Sequence, residues 1–294
     1  MPQGGTDYVL LTAARNEAAF IEGTIRSVLL QSHRPLRWVI VSDGSTDETD
    51  RIVQRYAGAA EFIAYARTGE RRGGVDFAKK VQALHRGREL LQGLHYDFIG
   101  NLDADITFGP GYFQELLEIF RKNPHLGVAG GRLYEPYNGK FVPRYLSEER
   151  YVPGAVQLFR RECFEQIGGY VLNRWGGEDT IAVVAARMKG WQTASVATLQ
   201  VFHHKVGEAN RGWAQERFRE GTMFYSMGSH PLFELLKCLR WLGRKPLFLQ
   251  GAVRLWGYAW ACFRGEGRPV SAEFVRYLRS EQRARLMNVL RKTS

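Results

Sequence analysis

The chain has 294 residues, 45% of them hydrophobic and 24% charged, which excludes a disordered or collagen-like chain and supplies enough apolar material for a packed core. Its 41 Lys and Arg against 30 Asp and Glu give +11, but residues 231–294 hold 13 of the basic and 4 of the acidic residues, a net +9, leaving +2 for residues 1–230. A near-neutral body with a cationic end points to an anionic surface docked by that end, and away from a nucleic acid read by the whole chain.

Over the first 135 residues, short β-rich apolar runs alternate with helical patterns, the signature of a parallel sheet with crossover helices. Strands are predicted at Tyr8–Ala13, Trp38–Ser42, Glu61–Ala66, Tyr96–Leu102 and Gly127–Leu133. Phe20, Ile21, Ile25, Val28 and Leu29 recur at helical spacing between the first two. The second helix is predicted to open at Ser45, with Ser45 as its cap and Glu48 completing a capping box. Beyond Glu135, Pro136, Pro143 and Pro153 among Tyr134, Tyr137, Tyr145 and Tyr151 predict an irregular stretch that lines an acceptor cleft. A strand at Ala155–Phe159, a helix after Glu178, a strand over about Thr193–Phe202 and a helix at Trp213–Met227 follow, and the last 64 residues read as helical.

Cys163, Cys238 and Cys262 form no CxxC pair and are odd in number, which fits a reducing compartment. The expected location is cytoplasmic, peripheral at the inner face of the cell membrane. The residues before Tyr8 have neither a charged nor an apolar leader region, so no signal peptide is expected. Pro246–Phe263, the longest apolar stretch, is broken by Gln250 and Arg254, so no spanning helix is expected either.

The richest segment is Phe98–Asp105, an apolar strand ending in Asp103-Ala104-Asp105. In extended chain an i, i+2 spacing puts both carboxylates on one face, and open α/β sheets bind ligands beyond the carboxyl ends of their strands. Two such carboxylates repel unless a cation joins them; Mn²⁺ or Mg²⁺ shared with a diphosphate would do so. The competing reading is a solvated loop with two unrelated acids. Asp43 follows the strand Trp38–Ser42, where it is either a turn residue or a carboxylate that accepts hydrogen bonds from a base or ribose. Its neighbour Asp47 reads as a first-turn helix acid. His203 and His204 close a strand, and either is a third metal ligand or a structural histidine.

Four ordered segments together resemble the family 2 glycosyltransferases of the GT-A fold: Val9–Glu17, Val41–Asp47, Asp103–Asp105 and Gly176-Gly177-Glu178-Asp179. The likeness spans about residues 7–205 and implies a Rossmann-like, mostly parallel central sheet flanked by helices. It also implies roles. Ala13, Arg15 and Glu17 match the segment that wraps the nucleoside, and Asp43 the carboxylate that reads the base. Asp103 and Asp105 match the metal-binding pair, to which His203 is added. Asp179 matches the general base and Glu178 an acceptor-orienting group. Lys79 or Lys80 matches a basic residue after the third strand, and Lys79 is taken for the donor site. The sequence departs from the family in ending its first strand with Ala13-Ala14, and it has no Q-x-x-R-W element after Asp179, which disfavours processive polymerisation.

The expected architecture is a catalytic domain over residues 1–230 with a basic, Trp-rich amphipathic helical extension over 231–294. In that extension Lys237, Arg240, Arg244, Lys245 and Arg254 interleave with Phe233, Leu236, Trp241, Leu242, Phe248, Leu255, Trp256 and Trp260, a composition suited to an anionic membrane surface or to packing on the body. Arg211, Arg217 and Arg219 either reach a diphosphate or form a solvated face. The expected activity is metal-dependent, inverting transfer of a sugar from a UDP- or GDP-linked donor to a carbohydrate or lipid-linked acceptor, in glycan or cell-envelope polysaccharide synthesis. The alternatives are a nucleotidyltransferase, whose glycine-rich loop is missing after the first strand, and a non-catalytic adaptor for membrane or nucleic acid. Asp43, Asp103, Asp105 and Asp179 oppose nucleic acid in the central cleft.

Overall fold

The computed structural model describes residues 5–69, 77–143, 150–205, 212–239 and 249–293. Of the residues named above, Tyr145, Arg211, Arg240, Trp241, Leu242, Arg244, Lys245, Pro246 and Phe248 lie outside them.

A single curled sheet organises the chain: β1 (Tyr8–Ala14), β2 (Arg37–Ser42), β3 (Ile63–Arg67), β4 (Phe98–Leu102), β5 (Ile106–Phe108), β6 (Leu126–Tyr137), β7 (Lys140–Pro143), β8 (Val156–Arg160) and β9 (Gln192–His203). Its order is β3-β2-β1-β4-β8-β6-β9-β5, with β7 paired to β6. β3, β2, β1 and β4 run parallel, as do β6 and β9, whereas β8 is antiparallel to both β4 and β6. The helices are α1 (Ile21–Leu29), α2 (Thr49–Ala57), α3 (Ala78–Glu89), α4 (Tyr112–Lys122), α5 (Arg161–Gln166), α6 (Glu178–Met188), α7 (Trp213–Ser226), α8 (Pro231–Leu239), α9 (Leu249–Phe263) and α10 (Ala272–Thr293).

The central strands are mostly apolar on both faces because helices cover both sides of the sheet. Tyr8 and Leu10 of β1 with Trp38 and Ile40 of β2 join the core formed with α1 and α4, while Val9, Leu11, Val39 and Val41 face α3 and α6. Period-two alternation thus divides one apolar run between two cores. Two polar side chains inside are matched to each other: the Trp38 indole N–H donates to Thr12 Oγ1 at 2.9 Å, and that hydroxyl donates to the Leu102 carbonyl at 2.7 Å.

Three expectations are corrected. The predicted opening of the second helix at Ser45 gives way to α2 starting at Thr49, and Asp47 supplies the local hydrogen bonds by accepting from the Thr49 N–H at 3.0 Å. Ser45 is instead occupied in the loop, its Oγ accepting from the Asn16 N–H and from the Ser42 hydroxyl. The stretch after Glu135 is ordered pairing, not irregular chain, as far as Pro143. Asn138 and Gly139, at φ 49° and 75°, turn β6 into β7 with Tyr137 opposite Lys140, a two-residue hairpin in which Asn-Gly is favoured. Pro143 is tolerated because β7 is an exposed edge, and Pro136 because it lies past Tyr134, the last residue of β6 that pairs with β9.

The C-terminal helices form a further layer on α6. Ile181 and Val184 of α6 pack with Met227, and with Phe274 and Leu278 of α10. Arg187 of α6 forms a two-pronged ion pair with Glu281, at 2.8 and 2.9 Å. α7 and α9 cross at glycines, where a Cβ at Gly221 would collide with the Arg254 carbonyl and one at Gly257 with that of Phe218. The composition boundary at residue 230 therefore runs inside a packed helical layer. The half-buried Lys237 of α8 lies 4.0 Å from the Phe224 ring centre, and burial pulls its ammonium down to about 8. Between pH 8 and its ordinary value near 10.4 the unfolded chain holds this proton more tightly, so stability rises with pH there. Lys237→Met is expected to stabilise the protein at pH 7 by on the order of 2 kcal/mol, and its lead over the parent should shrink as pH rises through that window. Paired urea titrations at pH 7 and pH 10 check this; an equal difference at both would refute it.

Candidate active site

The carboxyl ends of β1, β2 and β4 gather the loops that carry most of the polar candidates. Asn16, at φ 53°, accepts through Oδ1 from the Thr46 N–H at 2.8 Å, and Asp47 accepts from the Ala18 N–H at 3.1 Å. These bonds lace the loop after β1 to the loop after β2. Asp43, buried at the end of β2, accepts from the Thr68 hydroxyl at 3.1 Å. It lies two strands from β4, roughly 10 Å at ordinary strand spacing. Ala13 sits half-buried in the sheet and offers no side-chain chemistry, while Arg15 has a half-buried guanidinium that pairs with none of the described residues.

At the end of β4 the acids are drawn together by cations. Lys80, in the first turn of α3, donates to Asp103 Oδ1 at 2.9 Å and stands 3.5 Å from Glu178 Oε1. Burial alone would lower the Lys80 ammonium; the Asp103 and Glu178 charges outweigh it and hold the group above its ordinary range. The lysine seen to join these acids is Lys80, the neighbour of the expected Lys79 in the first turn of α3. Glu178 is itself raised by burial, against the pull of Lys80. Asp105, 7% exposed, receives His203 Nε2 at 3.1 Å, and Glu135 lies 3.7 Å from the other ring nitrogen. Burial lowers His203, but Asp105 and Glu135 overcome it and push it up to about 10, so the imidazole is a charged donor. His204 turns elsewhere, to Thr107 at 2.8 Å.

Glu17 extends the cluster from β1. Lys205 donates to it at 2.7 Å, and burial, with smaller help from the Asp105 and Asp103 charges, raises its carboxyl. Across the cleft, Gly176 and Gly177 at φ 90° and 82° deliver the chain into α6 through left-handed backbone that other residues rarely adopt. Glu178 and Asp179 follow in the first turn, where the helix N-terminus favours anions. Asp179 packs against the Gly154 backbone and accepts from the Thr180 N–H at 2.7 Å. Arg219 of α7 steadies this approach by donating to the Trp175 carbonyl at 2.6 Å and stacking on Phe77, so it is a positioning cation; Arg217 pairs with Glu220.

Sequence reasoning passed over Lys205, Glu135 and Thr68 as partners of Glu17, His203 and Asp43. Lys205 stood next to the two histidines, but nothing local tied it to a residue 188 positions away. As for a metal, no three His, Cys, Asp or Glu side chains among the described residues converge into a cage, so Asp103, Asp105 and His203 are not gathered as one ligand set. Asp103 and Asp105 supply hard carboxylate oxygens at the cleft, a donor set that fits Mn²⁺ or Mg²⁺ when a diphosphate and water complete the shell.

Solved structures with the same fold include a mannosyltransferase, PcManGT, from Pyrobaculum calidifontis in complex with GDP-Man and Mn²⁺, at TM-score 0.54 and 18% identity over 92% of this chain and 78% of that one. S. aureus TarS 1–349 in complex with UDP-GlcNAc matches at TM-score 0.55 and 15% identity, with the same coverage of 92% and 78%. Among curated proteins, a glucosyl-dolichyl phosphate glucuronosyltransferase of Haloferax volcanii is 26% identical over 168 residues, covering 51% of this chain and 50% of that protein. A poly-beta-1,6-N-acetyl-D-glucosamine synthase of Staphylococcus aureus is 30% identical over 121 residues, 41% of this chain and 27% of its own. The chain thus spans half or less of these relatives. The family model for glycosyl transferase family 2 matches residues 10–176, which is more than half of the chain and contains most of β1, Asp43 and the Asp103–Asp105 pair. With a GT-A sheet beneath that match, the chain belongs to glycosyl transferase family 2 and is a glycosyltransferase.

Proposed function

We propose that this enzyme transfers a sugar, with inversion, from a UDP- or GDP-linked donor to an acceptor hydroxyl carried on a lipid or a glycan, and that it needs Mn²⁺ or Mg²⁺. The observation that carries the reading is Lys80, whose ammonium joins Asp103 to Glu178 and so brings the diphosphate end of the cleft to the start of α6. The complexes of PcManGT with GDP-Man and Mn²⁺ and of TarS with UDP-GlcNAc support the donor class. The dolichyl phosphate-linked relative supports a lipid-linked acceptor, and the poly-N-acetylglucosamine synthase supports a place in polysaccharide synthesis.

In this reading Asp43 accepts hydrogen bonds from the base, Arg15 and Glu17 flank the nucleoside, and Asp103 and Asp105 hold the metal, which supplies positive charge against the diphosphate. The Asp179 carboxylate takes the proton of the acceptor hydroxyl as its oxygen bonds to the anomeric carbon. The bond from that carbon to the diphosphate oxygen breaks on the opposite side, which inverts the centre. Lys80 offsets the charge that the departing diphosphate gathers, and Glu178 orients the acceptor.

Two carboxylates leave most of a cation's coordination shell to phosphate and water, so metal and nucleotide should bind cooperatively. Calorimetry is expected to give UDP or GDP at least about tenfold tighter binding with Mn²⁺ than with EDTA. Equal affinity in both would remove the metal from the reading. Asp105→Ala is expected to abolish donor turnover without unfolding the chain.

A further inference from the structure

α8 and α9 are inverted in polarity relative to helices on the surface of a water-soluble body. Every exposed residue of α8 is apolar: Pro231, Leu232, Leu235, Leu236 and Leu239. On α9, Leu249, Ala252, Trp256, Ala259 and Phe263 form one exposed stripe, with Trp256 65% and Phe263 91% exposed. The opposite stripe of α9, Gly251, Arg254, Gly257 and Ala261, is buried against neighbouring helices. The charged residues of these two helices point inward: Glu234 and Arg254 are 2% and 4% exposed and pair at 2.6 Å, and Lys237 is half-buried beside Phe224. Surface helices normally do the reverse, and exposed apolar faces of this kind mark an interaction surface.

We infer that the exposed leucine face of α8 and the Leu249–Trp256–Phe263 stripe of α9 seat this protein on an anionic lipid bilayer by inserting into its interfacial layer. Charge selects lipid over a second copy of the chain. Residues 231–294 carry 13 cations and 4 acids. Two of those acids are neutralised internally, Glu234 by Arg254 and Glu281 by Arg187, so the segment that carries the apolar face keeps a large excess of cations and would repel its own copy. The helices are too short to cross: 15 residues of α9 extend about 22 Å against a hydrocarbon core of about 30 Å, and no described helix is long and apolar enough to span. Lying flat in one leaflet satisfies both the apolar stripe and its short length. This differs from a purely electrostatic tail, because Arg254 and Trp260 of the expected basic-aromatic set are used inside the protein, Trp260 against Trp175 and Phe218.

The inference deepens the lipid-linked reading of the acceptor, and its test is separate from that of the enzyme. The full chain is floated with vesicles of phosphatidylcholine alone and of phosphatidylcholine with phosphatidylglycerol, at low salt and at about 0.5 M salt, where charge attraction is largely screened. Binding to the anionic vesicles that persists in part at high salt is expected. The double variant Trp256→Glu, Phe263→Glu should lower partition at least about tenfold, and Leu235→Gln with Leu239→Gln should do so independently, since each large apolar side chain contributes substantially. Both substituted pairs are exposed, so the thermal shift produced by UDP or GDP with Mn²⁺ should be unchanged. Failure of the parent chain to float with anionic vesicles at low salt would overturn the inference, as would complete release by salt. A parent dimer that the variants convert to monomer, without flotation, would assign the face to self-association and overturn it too. Loss of donor turnover in a parent that still floats would count against the proposed enzyme and leave the docking face standing.

Discussion

Asp179→Asn is expected to lower turnover by about 10²–10⁴-fold while leaving nucleotide and metal binding in place, the range usual for loss of a general base. The amide keeps the shape of the carboxylate, and its carbonyl oxygen can still accept from the Thr180 N–H that Asp179 engages at 2.7 Å. What it cannot do is take a proton. Glu178 beside it is the necessary control. Burial raises the Glu178 carboxyl toward the range favoured for general bases, but the group is 7% exposed and leans on Lys80, which suits a positioning role better than open contact with an acceptor. Glu178→Gln should therefore raise the acceptor KM more than it lowers kcat. If Glu178→Gln is the variant that removes turnover and Asp179→Asn keeps it, the two residues exchange roles. A collapse of donor affinity in Asp179→Asn would move that residue to the donor site.

Much of the catalytic body was legible because its signals are local. The runs at Tyr8, Trp38 and Phe98 are mostly apolar and strand-forming, and the Asp103–Asp105 pair follows one of them directly. β5, with three residues, is too short to carry a periodic pattern, and its partner β9 lies about 100 residues away. The β6–β7 hairpin was hidden by its prolines, although Asn138-Gly139 is itself a turn signal. At the site, composition alone did not single out Lys80; it is the helical phase of α3 that turns Lys80 toward Asp103. The strand at Ala155–Phe159 was legible as β8, but its antiparallel direction was not, since a strand's direction depends on the path of the preceding chain and leaves no mark in its own residues.

The C-terminal helices show the same limit in energetic form. Their cations and aromatics are plain in the sequence, but which of them face inward depends on distant partners, as with Trp260 against Trp175, 85 residues away. Arg254 Nη2 donates to Glu234 Oε2 at 2.6 Å, the Ser229 hydroxyl donates to Glu234 Oε1 at 2.8 Å, and Gln282 Nε2 donates to Ser229 at 2.7 Å. One chain of bonds thus ties α8 to α9 and α10. Arg254→Met keeps most of the side-chain volume and strands Glu234 as a buried, unpaired charge, a loss that typically costs about 3–5 kcal/mol. The urea midpoint should fall accordingly, and the parent's UDP- or GDP-dependent thermal shift should survive at temperatures where the helical layer is still folded. Adding Glu234→Leu to Arg254→Met should recover most of the loss, because a buried ion pair replaced by packed apolar groups is often neutral or better. If the single variant is as stable as the parent, Glu234 is not sealed from water and the ion pair does not hold the layer together. If the double variant is no better than the single one, the cost lies in the lost packing of the guanidinium on the Phe224 ring, 4.5 Å away, and not in the stranded charge.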